Sequence, residues 1–236
     1  MTMRVHRYGD AGMLTQGVAS FLARRLTAIQ TQQADDIRLC LSDGLGDICT
    51  ALGDHLDAAA IDPNRIDLWW SDDAFVDVTD PTRASTKTLA ALGAVLLAPG
   101  KVHPMPTPSA NTDVEDAALL YANELGDTAF DLTILSVAPD GHVAGLTHRN
   151  SAQPTNRSVM SVRHAGGDRL TLSLPTLARS AAVWFVASGD KTAPALVRIV
   201  ADDTGLPAGA LRGRVETRLF ADEAAAALLP WHTCEL

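Results

Sequence analysis

The run FDLTILSVAPDGHVAGLTHRN, residues 130–150, decides how the chain is read. Its first half is a short apolar segment, the length and composition of a buried strand. It ends in Pro139-Asp140-Gly141-His142, and small residues follow. Two readings of that ending are open. One is a tight turn that contains a histidine. The other is a general base held by its own turn: Gly141 allows a backbone conformation that other residues resist, and Asp140 either caps the next segment or orients the imidazole of His142.

Working outward, apolar β-like runs alternate with Ala/Leu-rich helical stretches. RVHRY (4–8) is a first strand, and residues 13–32 carry Leu14, Val18, Phe21, Leu22, Leu26 and Ile29 at helical spacing. IRLCLS (37–42) is a strand and DICTALGDHLDA a helix. IDLWWSD (66–72) is a strand after the turn-forming DPNR, and 84–98 is a helix leading into Pro-rich PGKVHPMPTPSA. VEDAALLYANEL is a helix, RLTLSLPTLARS a strand leading into a helix, AAVWFVAS (181–188) a strand, and APALVRIVAD a helix. TRLFADEAAAALLP supplies a last strand and a last helix. This alternation predicts an α/β fold: a mainly parallel, Rossmann-like sheet flanked by helices. With no internal repeat, residues 1–236 read as one domain, with a possible small second lobe built from the insertions.

Bulk properties narrow the function classes. A formal charge of −9 and a pI near 5.1 argue against nucleic acid as a partner, which calls for a basic stripe. They leave open an anionic small substrate, because a few focused cations outweigh a distant net charge. No apolar run approaches the roughly 20 residues of a membrane span. The first residues lack a signal-type apolar region, so a cytoplasmic location is expected. Cys40, Cys49 and Cys234 have no metal-type spacing and read as free thiols, Cys40 as core.

In an open α/β sheet, ligands bind beyond the carboxyl ends of the strands. Loops at Ser42–Gly46, Ser71–Val76, Ala138–Leu146 and Gly189–Lys191 leave strands at such ends, and one crevice is expected to gather them. In the first, Ser42, Gly44 and Gly46 form either an anion cradle at a helix N-terminus or a tight strand-to-helix turn. In the second, Asp72 and Asp73 are either acid–base groups or caps. Adjacent residues of an extended chain point to opposite sides, so at most one faces a pocket. Arg149, Arg157, Arg163, Arg169 and Lys191 are the candidate cations, with Arg169 and Lys191 at predicted strand ends.

These segments, in this order, resemble the 6-phosphogluconolactonases, a family grouped with glucosamine-6-phosphate deaminases. FDLTILSVAPDGHVAGL is the most specific match. DLWWSDDAFVD, KVHPM (101–105), DRLTLSLPTLARSAAVWFVASGDK and RLFADEAAAALL follow. The resemblance implies hydrolysis of 6-phospho-D-glucono-1,5-lactone to 6-phosphogluconate, in the pentose phosphate pathway, with no metal or organic cofactor. It implies His142 as the catalytic base and Asp140-Gly141 as its supporting turn. Ser42, Gly44, Asp72, Gly141, Arg169 and Lys191 are then the substrate-binding set. The partner is a small sugar-phosphate lactone, and the protein is a monomer or small homo-oligomer. Against the family pattern, Asp43 places an acid beside the expected phosphate cradle and Ala74 stands where a cation is common. Ala84 stands where an Asn is common, with Arg83 beside it, and Arg83, His148 and Arg149 are the candidates to replace the lost contacts.

Overall fold

The computed structural model describes residues 3–56, 61–93, 97–151, 155–230 and 234–235. In chain order the elements are β1 (Arg4–Tyr8), α1 (Ala11–Gln32), β2 (Ile37–Leu41), α2 (Gly46–Leu56), β3 (Ile66–Trp70), β4 (Asp72–Ala74) and α3 (Ala84–Leu92). Then come β5 (Val102–His103), α4 (Val114–Leu125), β6 (Leu132–Ser136), α5 (His148–Ser151), β7 (Val159–His164) and β8 (Gly167–Leu172). The chain finishes with α6 (Leu174–Leu177), β9 (Ala182–Ala187), α7 (Ala193–Val200), α8 (Pro207–Ala210), β10 (Glu216–Asp222) and β11 (Cys234–Glu235).

Eight strands form one parallel sheet in the order β11-β1-β10-β9-β6-β2-β3-β5, and β4-β8-β7 form a small antiparallel sheet. The large sheet is apolar on both faces because both are covered by helices. Leu39, Leu41, Leu68, Trp70, Ala182 and Trp184 pack on one face with α1 and α2. The intervening Cys40, Trp69, Val183 and Phe185 face the other side, toward α4 and α7. That period-2 exchange of faces along nearly unbroken apolar runs is the mark of central parallel strands.

Strand order reverses between β2 and β6. From β2 the chain builds outward through β3 and β5; from β6 it builds the other way through β9 and β10. The loops after β2 and β6 therefore diverge, and a crevice opens between them at the sheet's carboxyl edge. The small sheet walls this crevice. It is anchored where Ser71 O accepts from Leu172 N at 2.7 Å, directly beyond β3.

Three of the expected elements come out differently, and strand β7 was not expected at all. The helix expected over 84–98 ends at Leu92, followed by Gly93 at φ 60°, and residues 94–96 lie outside the described ones. The helix expected after β10 is instead a string of turns over 223–228. The Arg7 guanidinium takes the carbonyls of Ala226 and Leu229, so a tertiary contact overrides alanine's helix preference. The loop expected around Asp72 is strand β4, paired with β8. Residues 57–58, the tail of the second expected helix, and the side chain of Cys234 lie outside the described part. Among the described residues no helix is long and apolar enough to cross a membrane.

Candidate active site

The turn after β6 is built by local hydrogen bonds. Gly141 N donates to Ala138 O at 2.8 Å, and Ala138 N donates to His142 O at 3.0 Å. Gly141 sits at φ +80°, and a Cβ there would meet the Leu206 side chain at 2.7 Å. The conformation thus demands glycine, and any Cβ would also have to displace the end of the Leu206 side chain. This turn folds Asp140 back on its neighbour: Asp140 Oδ1 lies 2.6 Å from His142 Nδ1 and accepts from His142 N at 3.2 Å. Partial burial would raise the Asp140 pKa, but the His142 N–H and the imidazole outweigh it and hold the carboxyl below its usual range. A carboxylate on Nδ1 fixes the neutral ring as the Nδ1–H tautomer, leaving Nε2 as the basic nitrogen.

His142 borders a cavity of about 510 Å³ at the crevice predicted by the switch in strand order. Ser42, Asp43 and Gly44 line it from the β2 loop, Asp72 and Ala74 from β4, and Ser136 and Ala138 from the end of β6. Lys87 comes from α3, and His164, Gly166, Asp168 and Arg169 from the β7–β8 hairpin. Ala144, also in the lining, is held at φ 53°, a left-handed conformation unusual for a residue with a side chain.

The paired acids of β4 divide their work. Asp72 and Ala74 face the cavity, whereas Asp73 points the other way, into the protein. Asp73 takes Ala84 N at 2.7 Å, Ser85 Oγ at 2.8 Å and the Arg83 guanidinium at 3.2 Å, with both Asp73 and Arg83 almost completely buried. Arg83 also donates to Met105 O at 2.6 Å. It is locked behind the cavity wall, so of the three candidate replacements for the lost anion contacts Arg83 is ruled out.

Electrostatics in the cavity rest on a chain of ion pairs. Arg169 meets Asp72 at 2.5 Å and Asp43 at 3.7 Å, and Lys87 meets Asp43 at 2.5 Å. Burial raises the Asp72 pKa, against the pull of Arg169. Burial works against the charge of Arg169, yet Asp72 and Asp43 push its pKa up, so it remains a cation. Asp168 is paired outward to Arg163 at 2.8 Å. Ser42, though in the lining, spends its hydroxyl on structure: its Oγ accepts from Ser136 N at 2.8 Å and donates to Asp43 O at 3.0 Å, tying the β2 and β6 loops together.

Of the residues singled out in the sequence, Ser42, Gly44, Asp72, His142 and Arg169 are brought together, with Asp140 and Gly141 directly behind His142. Lys191 is not in the cavity lining. It is exposed on a short 3-10 turn beyond β9, a loop tied down where Asp222 accepts from Gly189 N at 3.1 Å. Lys87, Ser136, His164 and Asp168 were missed. Gly166-Gly167 between two alternating segments was the available signal for the hairpin that carries His164 and Asp168. The His164 ring lies 6.2 Å from that of His142, with Nε2 3.1 Å from Gly145 O.

The two described cysteines are spent on packing; burial pushes the Cys49 thiol up to about 12, and that of Cys40 well above its usual value. Among the described residues no group of three or more His, Cys, Asp or Glu side chains has the geometry to hold a metal ion.

A family model described as glucosamine-6-phosphate isomerases/6-phosphogluconolactonase matches residues 9–220. The 6-phosphogluconolactonase of Streptomyces coelicolor is 32% identical over 246 aligned residues, covering 96% of this chain and 94% of that protein. That of Mycobacterium tuberculosis is 29% identical, with 98% and 100% covered. The crystal structure of the Thermotoga maritima 6-phosphogluconolactonase superposes with a TM-score of 0.81 over 94% of this chain and 100% of that one. At 23% identity the last likeness is one of fold.

Proposed function

The chain belongs to the family of glucosamine-6-phosphate isomerases and 6-phosphogluconolactonases, and we propose that it hydrolyses 6-phospho-D-glucono-1,5-lactone to 6-phosphogluconate. The observation that carries this reading is His142, fixed through Nδ1 by Asp140 at 2.6 Å, at the edge of a cavity that also holds Lys87 and Arg169.

The chemistry follows from that ring. Nε2 takes a proton from water as the water oxygen attacks C1 of the lactone. The tetrahedral intermediate carries its negative charge on the former carbonyl oxygen. As it collapses, the bond from C1 to the ring oxygen breaks, and the imidazolium returns its proton to that oxygen. Asp140 stabilises the charged ring between the two transfers. The phosphate, with about two negative charges near neutrality, is met by the cations of the cavity. In this reading Asp72 anchors Arg169, Gly141 shapes the catalytic turn, and Ser42 and Gly44 set the floor of the cavity. A soluble sugar-phosphate substrate is consistent with work in the cytoplasm.

The test is hydrolysis of freshly generated 6-phosphogluconolactone, measured above its spontaneous rate. Wild type should accelerate the reaction, and His142→Ala should lose on the order of 10²–10⁴-fold in kcat. A wild type that adds nothing to the background sinks the lactonase reading; a His142→Ala variant of full activity removes His142 as the base.

A further inference from the structure

The Asp43 carboxylate occupies a place built for an anion. Its Oδ1 accepts from Gly44 N at 2.8 Å and from Lys87 Nζ at 2.5 Å, and its Oδ2 lies 3.7 Å from Arg169. The two donors and Arg169 all line the cavity, and so does Asp43 itself. Lys87 and Arg169 supply two positive charges and Asp43 and Asp72 two negative; the third carboxylate of the lining, Asp168, is paired to Arg163 outside it. With these pairs intact, the cavity offers no unopposed cation to a dianion.

The two ion pairs differ in how readily they open. Arg169 and Asp72 are 21% and 3% exposed, so separating them would strand a buried charge. Lys87 and Asp43 are 43% and 29% exposed, a pair that water screens and that contributes little. Asp43 lies in the β2–α2 loop and Lys87 on a long flexible stem in the first turn of α3, so both ends of this pair can move.

The geometry points to an ion-pair exchange: Lys87 is the phosphate ligand of this site, held by Asp43 when the site is empty and passed from Asp43 to the substrate phosphate on binding. Asp43 is then a specificity-determining residue as well. A ligand that repays the lost pair with a phosphate enters; one without a phosphate leaves Lys87 where it is. Arg169 stays on Asp72 and adds its charge to the phosphate from there. This inference rests on the lactonase reading for the identity of the ligand, but its test requires no turnover.

The experiment is calorimetric titration of the intact protein with 6-phosphogluconate, and with gluconate as the phosphate-free control. Removing a charge-assisted contact is worth roughly one to two decades in affinity, so Lys87→Gln should weaken 6-phosphogluconate binding about ten- to a hundredfold. Gluconate affinity should change far less, and Lys87→Arg should recover most of the loss. Asp43→Asn should act in the opposite direction, tightening 6-phosphogluconate binding. Because Asp43 lies on a loop, that variant keeps the test open if Lys87→Gln folds poorly. Equal losses for both ligands in Lys87→Gln, no loss at all, weaker binding in Asp43→Asn, or a wild type that binds neither ligand would each overturn the exchange. A wild type that binds 6-phosphogluconate through Lys87 yet fails to hydrolyse the lactone sinks only the lactonase reading. Turnover with a Lys87→Gln variant of unchanged affinity sinks only the exchange.

Discussion

Asp140 is two residues from the ring it supports, and that short range made the pair legible in the sequence. An Asp-Gly-His run leaves few ways to fold, and the glycine at φ +80° selects the one that puts carboxylate on Nδ1. Asp140→Asn keeps the shape of the turn and removes the charge. Its pKa is already held below the carboxylate value of 3.8, so Asp140 is ionised throughout the pH range in which a histidine titrates. Titration of Asp140 therefore cannot produce an acid limb near neutrality in the kcat/KM profile. Losing the anion removes support for the charged ring, so in Asp140→Asn kcat falls, by less than in His142→Ala. A kcat that stays at the wild-type value would show that the carboxylate has no electrostatic role. Lys87 had no comparable signal. It reaches the cavity only through the packing of α3, and nothing adjacent to it in the chain says so.

At the scale of elements, three-residue β4 shows what alternation alone could deliver. That only one of Asp72 and Asp73 faces the pocket follows from extended geometry; which one does is set by pairing with β8, where Asp72 lies opposite Thr171 and Ala74 opposite Arg169. Asp73 is then committed to the start of α3, with its carboxylate on Ala84 N and its charge against Arg83. Asp73→Ala leaves the Arg83 guanidinium buried without its anion and the first turn of α3 without its acceptor. The expected loss is about 3–5 kcal/mol in urea unfolding, the usual cost of orphaning one member of a buried pair. Because Asp73 points away from the cavity, kcat per folded molecule should hold while the unfolding midpoint drops. A drop below about 1 kcal/mol, the range of exposed pairs, would mean that water reaches Arg83. The turns over 223–228 make the converse point: four alanines there specify helix locally, and Arg7, over two hundred residues away in sequence, decides otherwise.

Over the whole molecule, the alternation of strands and helices made the parallel sheet readable, but not the order of its strands. That order decides which loops meet. The loops after β2 and β6 border one crevice because the sheet changes direction between them, and the loop after β9 stays apart, tied to Asp222 of β10. Function thus gathers at the carboxyl edge, and the amino edge is left to stability. Glu216, at the amino end of β10, accepts from Trp184 Nε1 of β9 at 3.0 Å and from Arg218 at 2.7 Å. Burial opposes its charge, but Arg218 and Trp184 prevail and hold the carboxyl below its ordinary 4.5. A depressed folded-state pKa gives stability that is present above the unfolded value and lost as pH falls through the folded one. Glu216→Gln should therefore unfold more easily than wild type at pH 7, by about 1–2 kcal/mol for hydrogen bonds to a charged group. The gap should close as the pH drops through and below 4.5, where wild type protonates the same carboxyl. Lactone hydrolysis at pH 7 should be unaffected, since the substitution lies at the opposite edge of the sheet from His142. A stability gap that persists at acid pH would assign the contribution of Glu216 to packing rather than to its charge.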